Sequence, residues 1–469
     1  MLFSEPAFFV FFAGYFLLHL ITPPRWRVYL IIAGSTIFYA WWRVEYVALP
    51  FLLAIVGWAG VRWIEAATIP GQRKFRIALT IIALFTPLVI VKYTYFVLTN
   101  VVGLLAPDMA SHSDLLAFKF TLPLGVSFIT FSVTAYVIDV YRGRYPPENR
   151  LTIVLGYVLF FPHLIAGPIL RPNEIMPQLH QLRAAMGARF TLGFALFALG
   201  LVKKLVFADT IAPAVEHAFA TGAAPTSWEC LLAVYGFSMQ IYCDFSGYTD
   251  MAIGIAYLLR IRLPTNFLRP YCSSSIIEFW RRWHITLSFW LRDYLYIALG
   301  GNRDGAINRY RNLLVTMVLG GLWHGAAWTF VIWGLLHGLT LAGAHFARQC
   351  FPRIVAATPR WLGLVLTFHL VTLAWVFFRA PNIEAAHRVL TGLISFSPGS
   401  FDDFVRRHLF ELFLLGIFAL SHRYDRHAAV RLAVRRVNKA VVWSVIGAMF
   451  VLAIAVGQGS SGNFIYFDF

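Results

Sequence analysis

From residue 313 to residue 338 the chain reads LLVTMVLGGLWHGAAWTFVIWGLLHG, without one Asp, Glu, Lys or Arg. About 20 predominantly apolar residues suffice to cross a bilayer as a helix. In hydrocarbon a backbone must satisfy its own polar groups, so a spanning helix is the expected form of such a run. The stretch nonetheless carries His324, set among Gly320, Gly321, Trp323, Gly325 and Trp328, and a second histidine, His337. An ionisable side chain at membrane depth is costly and usually faces a cavity or a partner. The glycines imply close approach of another backbone or of a ligand. The plainer alternative is that His324 hydrogen-bonds a neighbouring helix and only holds the bundle together. In one continuous helix His324 and His337 would stand about 20 Å apart at 1.5 Å per residue. They could then share a metal ion only if the helix were broken. An imidazole with a reference pKa near 6.5 is suited to moving a proton at neutral pH, for example from a hydroxyl poised against an activated acyl carbonyl.

The rest of the chain agrees with membrane residence. It is 59% hydrophobic and 13% charged, against about 25% charged in ordinary soluble domains. No soluble core could hide that much apolar side chain, so the expected class is an all-α, polytopic membrane protein. Phe8 to Ile21 has no basic residue before it and no small-residue cleavage site after it, and reads as a retained span. The net charge of +17 fits loop Lys and Arg held against anionic lipid on the cytoplasmic side, and nucleic acid is not an expected partner. Cys230, Cys243, Cys272 and Cys350 are scattered without a C-x-x-C pair, which indicates neither a disulfide framework nor a zinc site.

Spans are expected near 6–22, 28–42, 47–61 and 77–97. Arg25 and Arg27 follow the first, and Arg62, Arg73, Lys74 and Arg76 follow the third, whereas 98–118 carries Asp108 and Asp114 and no basic residue. The positive-inside rule then puts 23–27 and 62–76 in the cytoplasm. Further spans are expected at 121–141, 151–170, 190–208, 228–258, 360–378, 408–421 and 440–457, for 10 to 12 crossings in one transmembrane domain covering 1–469. In HLIAGPILRP the residues Gly167, Pro168 and Pro172 must interrupt a helix beside His163. Irregular backbone at that depth needs protein or a water-filled cavity over it, and a cavity is the expectation here. QIYCDFSGYTD places Asp244 and Asp250 inside an apolar stretch, pointing inward either as site residues or as helix–helix hydrogen bonds. The segment 381–395 looks amphipathic, and the basic loop 422–439 is expected in the cytoplasm.

Residues 260–312 differ from their surroundings. They hold nine arginines, from Arg260 to Arg311, and are expected on the cytoplasmic side as an amphipathic or re-entrant segment. Ser275 and Glu278 have capping-box spacing and predict a helix from about Ile276. At helical spacing Phe279, Trp283, Leu287, Trp290 and Tyr294 share one face, Arg281, Ser288 and Arg292 lie towards the other, and His284 falls between them. There is no G-x-x-x-x-G-K-[ST] for an ATP-driven pump, and no inverted repeat of the kind secondary transporters carry.

EFWRRWHITLSFWLRDYLYIALGGNR (278–303) followed by GGLWHGAAWTFVIWGLLHG (320–338) resembles the membrane-bound O-acyltransferase superfamily. The likeness is greatest to the bacterial branch that includes the alginate O-acetyltransferase membrane subunit. LPLGVSFITFSVTAYVIDVYRG (122–143), FFPHLIAGPILRP (160–172), QIYCDFSGYTDMAIG (240–254) and NFIYFDF (463–469) extend it, in one order, over nearly the whole chain. The resemblance implies a ring of helices around funnel-like re-entrant segments. It implies an acceptor-activating histidine at His324 and a second functional histidine at His284. The donor would be cytosolic acetyl-CoA, a substrate and not a resident cofactor. Its phosphates would meet Arg281, Arg282 and Arg292, because arginine pairs with phosphate bidentately, although lipid headgroups are the alternative for each. Trp323, Trp328 and Asp244 are the remaining substrate-side candidates. The acetyl group would pass outward to a periplasmic partner of the SGNH-esterase type, or another acyl carrier, and on to an exopolysaccharide outside a Gram-negative inner membrane. Alginate is the leading acceptor, with cellulose and peptidoglycan as competitors. A lipid-linked saccharide transporter or flippase is the alternative from another class.

Overall fold

The computed structural model describes residues 1–105, 120–182, 188–303, 305–395, 397, 399–457 and 464–465. Asp108 and Asp114 lie outside them, as does most of the closing NFIYFDF. The chain divides into two compact units, Met1–Gly193 with Ala252–Pro264, and Phe194–Met251 with Thr265–Phe469. Both are helical, as the hydropathy requires. Six helices among the described residues are long and apolar enough to cross a membrane.

The first unit holds α1 (Pro6–Ile21), α2 (Arg27–Ala40), α3 (Ala48–Glu65), α4 (Pro70–Leu105) and α5 (Val126–Tyr141). These agree with the spans read from hydropathy to within a few residues, except that α4 begins seven residues earlier and ends eight later. Glycine sets the packing distance of α3. A Cβ at Gly57 would lie 2.3 Å from Val133 of α5, and one at Gly60 would lie 2.3 Å from Thr80 of α4. Gly125 takes φ +69 directly before α5, with the Leu164 carbonyl where its Cβ would be, so only glycine fits that entry.

The expected span 151–170 is divided. α6 (Leu151–Leu159) stops, a single turn α7 (Phe161–Leu164) follows, and the chain then runs irregularly to α8 (Pro172–Leu179). Protein covers the interruption, since every residue from Phe161 to Leu170 is buried. The Tyr157 hydroxyl stands 2.7 Å from the Ser132 carbonyl and 2.8 Å from that of Leu170, and His163 Nε2 donates to the Tyr157 carbonyl at 2.8 Å. The groups freed by the break are thus paired within the unit.

The second unit takes up α9 (Ala188–Val202) from Phe194 and continues through α10 (Asp209–Phe219) into α11 (Ser227–Leu258), which passes into the first unit at Ala252. Residues Lys203–Ala208, between α9 and α10, form a π-helix. The amphipathic segment is not one helix. It is α12 (Ile276–Trp280), then α13 (Ile285–Trp290), then a π-helical turn over Leu291–Tyr296, with the break at His284. The Ser275 cap forms as its spacing predicts, its hydroxyl accepting from the Glu278 amide at 3.2 Å.

Residues 313–338 are not one span either. α14 (Gly305–His324) ends on the histidine, Gly325–Ala327 turn the chain, and α15 (Trp328–Cys350) begins. The two helices lie against each other at backbone distance. A Cβ on Gly321 would be 2.2 Å from the Phe330 carbonyl oxygen, one on Gly334 would be 2.4 Å from that of Met317, and one on Gly325 would be 2.0 Å from the Phe330 ring. α16 (Arg360–Arg379) packs on α15, and α17 (Ile383–Ile394), capped by Asn382, follows it. α18 (Phe401–Ser421) bends at His408, whose φ/ψ of −116 and 21 are non-helical. The basic loop 422–439 contains a helix, α19 (His427–Arg436), because its Ala, Leu and Arg residues are strong helix formers. α20 (Lys439–Gly457) is the last.

Gly334→Ala should therefore lower the stability of the detergent-solubilised protein by about 1–3 kcal/mol, the cost of overpacking. Gly416→Ala, whose Cβ would meet nothing within 4 Å, should leave it unchanged. Thermal unfolding of both variants checks the pair, and equal melting would contradict the backbone contact.

Candidate active site

The end of α14 and the start of the 276–296 segment bring the predicted histidines into one aromatic wall in the second unit. His324 is 4% exposed. Its ring meets Trp323 at 4.9 Å, Phe378 at 5.1 Å and Trp333 at 5.2 Å between centroids, each close to perpendicular. Ending a helix on an imidazole at this depth is possible because Gly325 lets the chain leave α14 under the Phe330 ring.

His284 owes its position to a strained backbone. It sits in the left-handed region at φ +39, unusual for a residue with a side chain. Asn266, fully buried, holds the kink. Its carbonyl accepts from the Ile285 amide at 2.9 Å, and its side-chain oxygen accepts from the Thr286 amide at 3.2 Å and the Thr286 hydroxyl at 2.9 Å. His284 Nδ1 lies 3.2 Å from that same oxygen. A side-chain amide oxygen has no hydrogen to donate, so Nδ1 carries the proton and the neutral ring keeps its lone pair on Nε2. The ring edge meets Phe245 at 4.8 Å and Trp323 at 6.2 Å. Trp323 therefore touches both His284 and His324. Backbone strain of this kind persists only where the surroundings over-determine it, and it concentrates at functional sites.

The turn at Gly325–Ala327 corrects the separation expected of His324 and His337. In a continuous helix they would be far apart, but in the hairpin both rings contact Trp333, at 5.2 and 4.7 Å. His337 also stacks on Phe279 at 6.2 Å and meets Trp280 edge-on at 5.0 Å. It is 1% exposed, and neither ring nitrogen has a hydrogen-bond partner among the described residues. A sequence reading based on helical rise has no means of seeing this, since the break depends on which residues face α15.

Of the arginine candidates, Arg282 pairs with Glu278 at 2.5 Å, while Arg292 holds Asp293 through Nε at 2.6 Å and a second nitrogen at 3.0 Å and lies over the Phe289 ring. Arg281 is exposed and makes no ion pair among the described residues. Trp323 is buried against both histidines, whereas Trp328, at the first turn of α15, is 53% exposed.

Asp244 belongs to a buried ion network that the sequence reading only half saw. The apolar span 190–208 contains Lys203 and Lys204, side by side on the π-helix and both buried. Lys204 Nζ lies 2.8 Å from Asp209 and 2.8 Å from Asp244. Asp244 also accepts the Ile465 amide at 2.8 Å, which ties the C-terminal stretch to α11. Phe464 is buried there, its ring 4.9 Å from Tyr248 and 6.2 Å from Phe245. Lys203 Nζ lies 2.7 Å from Asp250 and 2.6 Å from Asp425, with His427 at 2.6 Å on Asp250 and the Tyr242 hydroxyl donating to Asp425 at 2.7 Å. The available signal was two adjacent lysines in an otherwise apolar run, each of which needs carboxylate partners at that depth.

Lys204→Met leaves Asp209 and Asp244 buried without their cation, and should cost about 3–5 kcal/mol. Adding Asp209→Asn and Asp244→Asn should restore part of that loss, since coupled groups are not additive. Unfolding of the series in SDS micelles reads both effects, and a single-variant loss below about 1 kcal/mol would mean that the pair carries no weight of this kind.

A family model described as membrane-bound O-acyltransferase matches residues 150–386, a range that includes His284, His324, His337 and both lysines. The protein named "Probable alginate O-acetylase AlgI" of Azotobacter vinelandii is 40% identical over 421 residues, covering 88% of this chain and 82% of that one. The protein of the same name in Pseudomonas aeruginosa is 40% identical over 418 residues, covering 87% and 78%. "Peptidoglycan O-acetyltransferase" of Helicobacter pylori is 36% identical over 426 residues, covering 84% and 80%.

Proposed function

Since the chain belongs to the membrane-bound O-acyltransferase family, we propose that it moves acetyl groups from cytosolic acetyl-CoA across the inner membrane for O-acetylation of an extracytoplasmic polysaccharide, with His324 as general base. The chain is a multi-pass membrane O-acyltransferase. The relatives' names favour a polysaccharide acceptor, and alginate is the first choice because five relatives bear that name at 39–40% identity over most of the chain. The Helicobacter pylori relative keeps peptidoglycan in view.

The observation that carries the reading is the buried imidazole of His324 at a helix end, enclosed by Trp323, Trp333 and Phe378. In the reaction, His324 takes the proton of the acceptor hydroxyl as its oxygen attacks the thioester carbonyl. The carbon–sulfur bond then breaks, and the proton passes to the departing CoA thiolate. Burial against an aromatic wall supports this, because charge developing away from bulk water is screened less. His284 presents an unprotonated Nε2 when neutral, and would orient or polarise beside Trp323, which both histidines touch. Arg281 is the arginine best placed to meet a CoA phosphate, since Arg282 and Arg292 already hold carboxylates. An acceptor on the far side would be a periplasmic SGNH-type partner or carrier.

Purified protein in detergent should release CoA from acetyl-CoA slowly alone and faster with its acceptor partner. His324→Ala should lower that rate by about 10²–10⁴-fold, the usual contribution of general acid–base catalysis, with unchanged thermal unfolding. Normal turnover by a folded His324→Ala protein would refute the assignment of the base. Acceleration by a peptidoglycan-modifying partner and not by an alginate-modifying one would move the acceptor.

A further inference from the structure

A cavity of about 780 Å³ lies in the second unit, between α11, α16 and α18, and none of the three wall histidines lines it. Along α11 it runs from Trp228 through Tyr235 to Ser238, ten residues on one stripe, or about 15 Å at 1.5 Å per residue. Phe368 of α16 and Phe418 of α18 form its sides. Phe401 and Phe404 stack around Trp228 at the far end, with centroids at 5.0 and 6.2 Å. The bend of α18 at His408 curves that helix past the groove, and Gly416 on its lining leaves open space where a side chain would stand.

The interior asks for hydrocarbon. Of its three hydroxyls two are engaged, Ser238 with Val234 and Thr372, and Tyr271 with the Ser238 carbonyl, which leaves that of Tyr235 in an otherwise apolar lining. A peptide laid there would bring N–H groups with nothing to receive them.

The mouth is different. Tyr271, Cys272, His422 and Arg423 line it. The Tyr271 amide donates to His422 Nε2 at 3.3 Å, so the proton of the neutral ring is on Nδ1. That Nδ1 is buried and has no partner among the described residues, in a side chain only 5% exposed. Of charged groups, Arg269, Lys203 and Asp425 act on His422, and Asp425 is already held by Lys203 and Tyr242. Guanidinium groups gather at Cys272. Arg269, Arg282, Arg360 and Arg426 all act electrostatically on Cys272, and Arg269 donates to the Arg423 carbonyl at 3.0 Å. Of these, Arg282 forms an ion pair with Glu278, a carboxylate that Arg360 also feels.

We propose that this groove is a binding site for one anionic phospholipid, its acyl chain lying along α11 and its phosphodiester received by His422 Nδ1–H and the arginines at the mouth. The charge matches, since a guanidinium cluster and an unmet buried donor both call for an anion. The basic segments 260–312 and 422–439 flank the mouth on the side expected to face the anionic cytoplasmic leaflet.

The test is native mass spectrometry of delipidated protein in detergent, titrated with phosphatidylglycerol or phosphatidylcholine of identical chains. One phosphatidylglycerol should bind per protein, with a preference of about tenfold over phosphatidylcholine. Gly416→Phe fills open space, should fold normally by thermal unfolding, and should weaken both lipids. The exposed pair Arg423→Gln and Arg426→Gln should abolish the headgroup preference while retaining chain binding. Equal binding of the two lipids by the unaltered protein would overturn the proposal. Undiminished binding by Gly416→Phe would do so as well, as would full displacement by inorganic phosphate, which would mark an anion site without a chain.

Discussion

The direct contact of two helix backbones supports everything at the candidate active site. α14 and α15 meet where Gly321 faces the Phe330 carbonyl and Gly334 faces that of Met317. No larger residue leaves room for that approach. Lipid tails are as apolar as leucine, so helices in a bilayer associate through close packing and small residues. The consequence here is chemical. Once the hairpin closes, Trp333 stands against both His324 and His337, and Trp323 reaches His284. Three imidazoles and two indoles that sequence distance would keep apart become one surface.

A second principle governs the irregular backbone. Broken helices at membrane depth survive only when protein satisfies the groups they release. Three of the breaks have such partners close by. Tyr157 and His163 serve the interruption after α6. Asn266 serves the left-handed turn at His284. The π-helix at Lys203–Ala208 is anchored by four carboxylates from different parts of the second unit. In these three places the fold uses buried side-chain partners to hold irregular backbone.

Much of this was readable from the residues. Hydropathy located most helices within a few positions, because in hydrocarbon length and apolar content nearly dictate a helix. The Ser275 cap and the inward aspartates were also legible, since each reflects a local requirement. The continuous helices drawn through His284 and His324 were not real. One break site lies in a run of helical spacing and the other in an uninterrupted apolar run, and the deciding forces come from Asn266 and Phe330, remote along the chain or on the opposing helix. The lysine pair could have been found, as two cations in an apolar run demand partners, but nothing local tells which of many carboxylates supplies them.

The amino-acid sequence on its own determined that the chain is a bundle of membrane helices bearing a few ionisable groups in apolar surroundings. Composition and hydrophobic length leave no other stable arrangement for it in water or lipid. Its motifs also determined the family. Which histidines share a wall, which arginines are already occupied and where the chain turns back on itself were decided by tertiary packing alone. Those outcomes rest on backbone approach and paired polar groups from distant segments, and the energy of such contacts exists only after the segments have met.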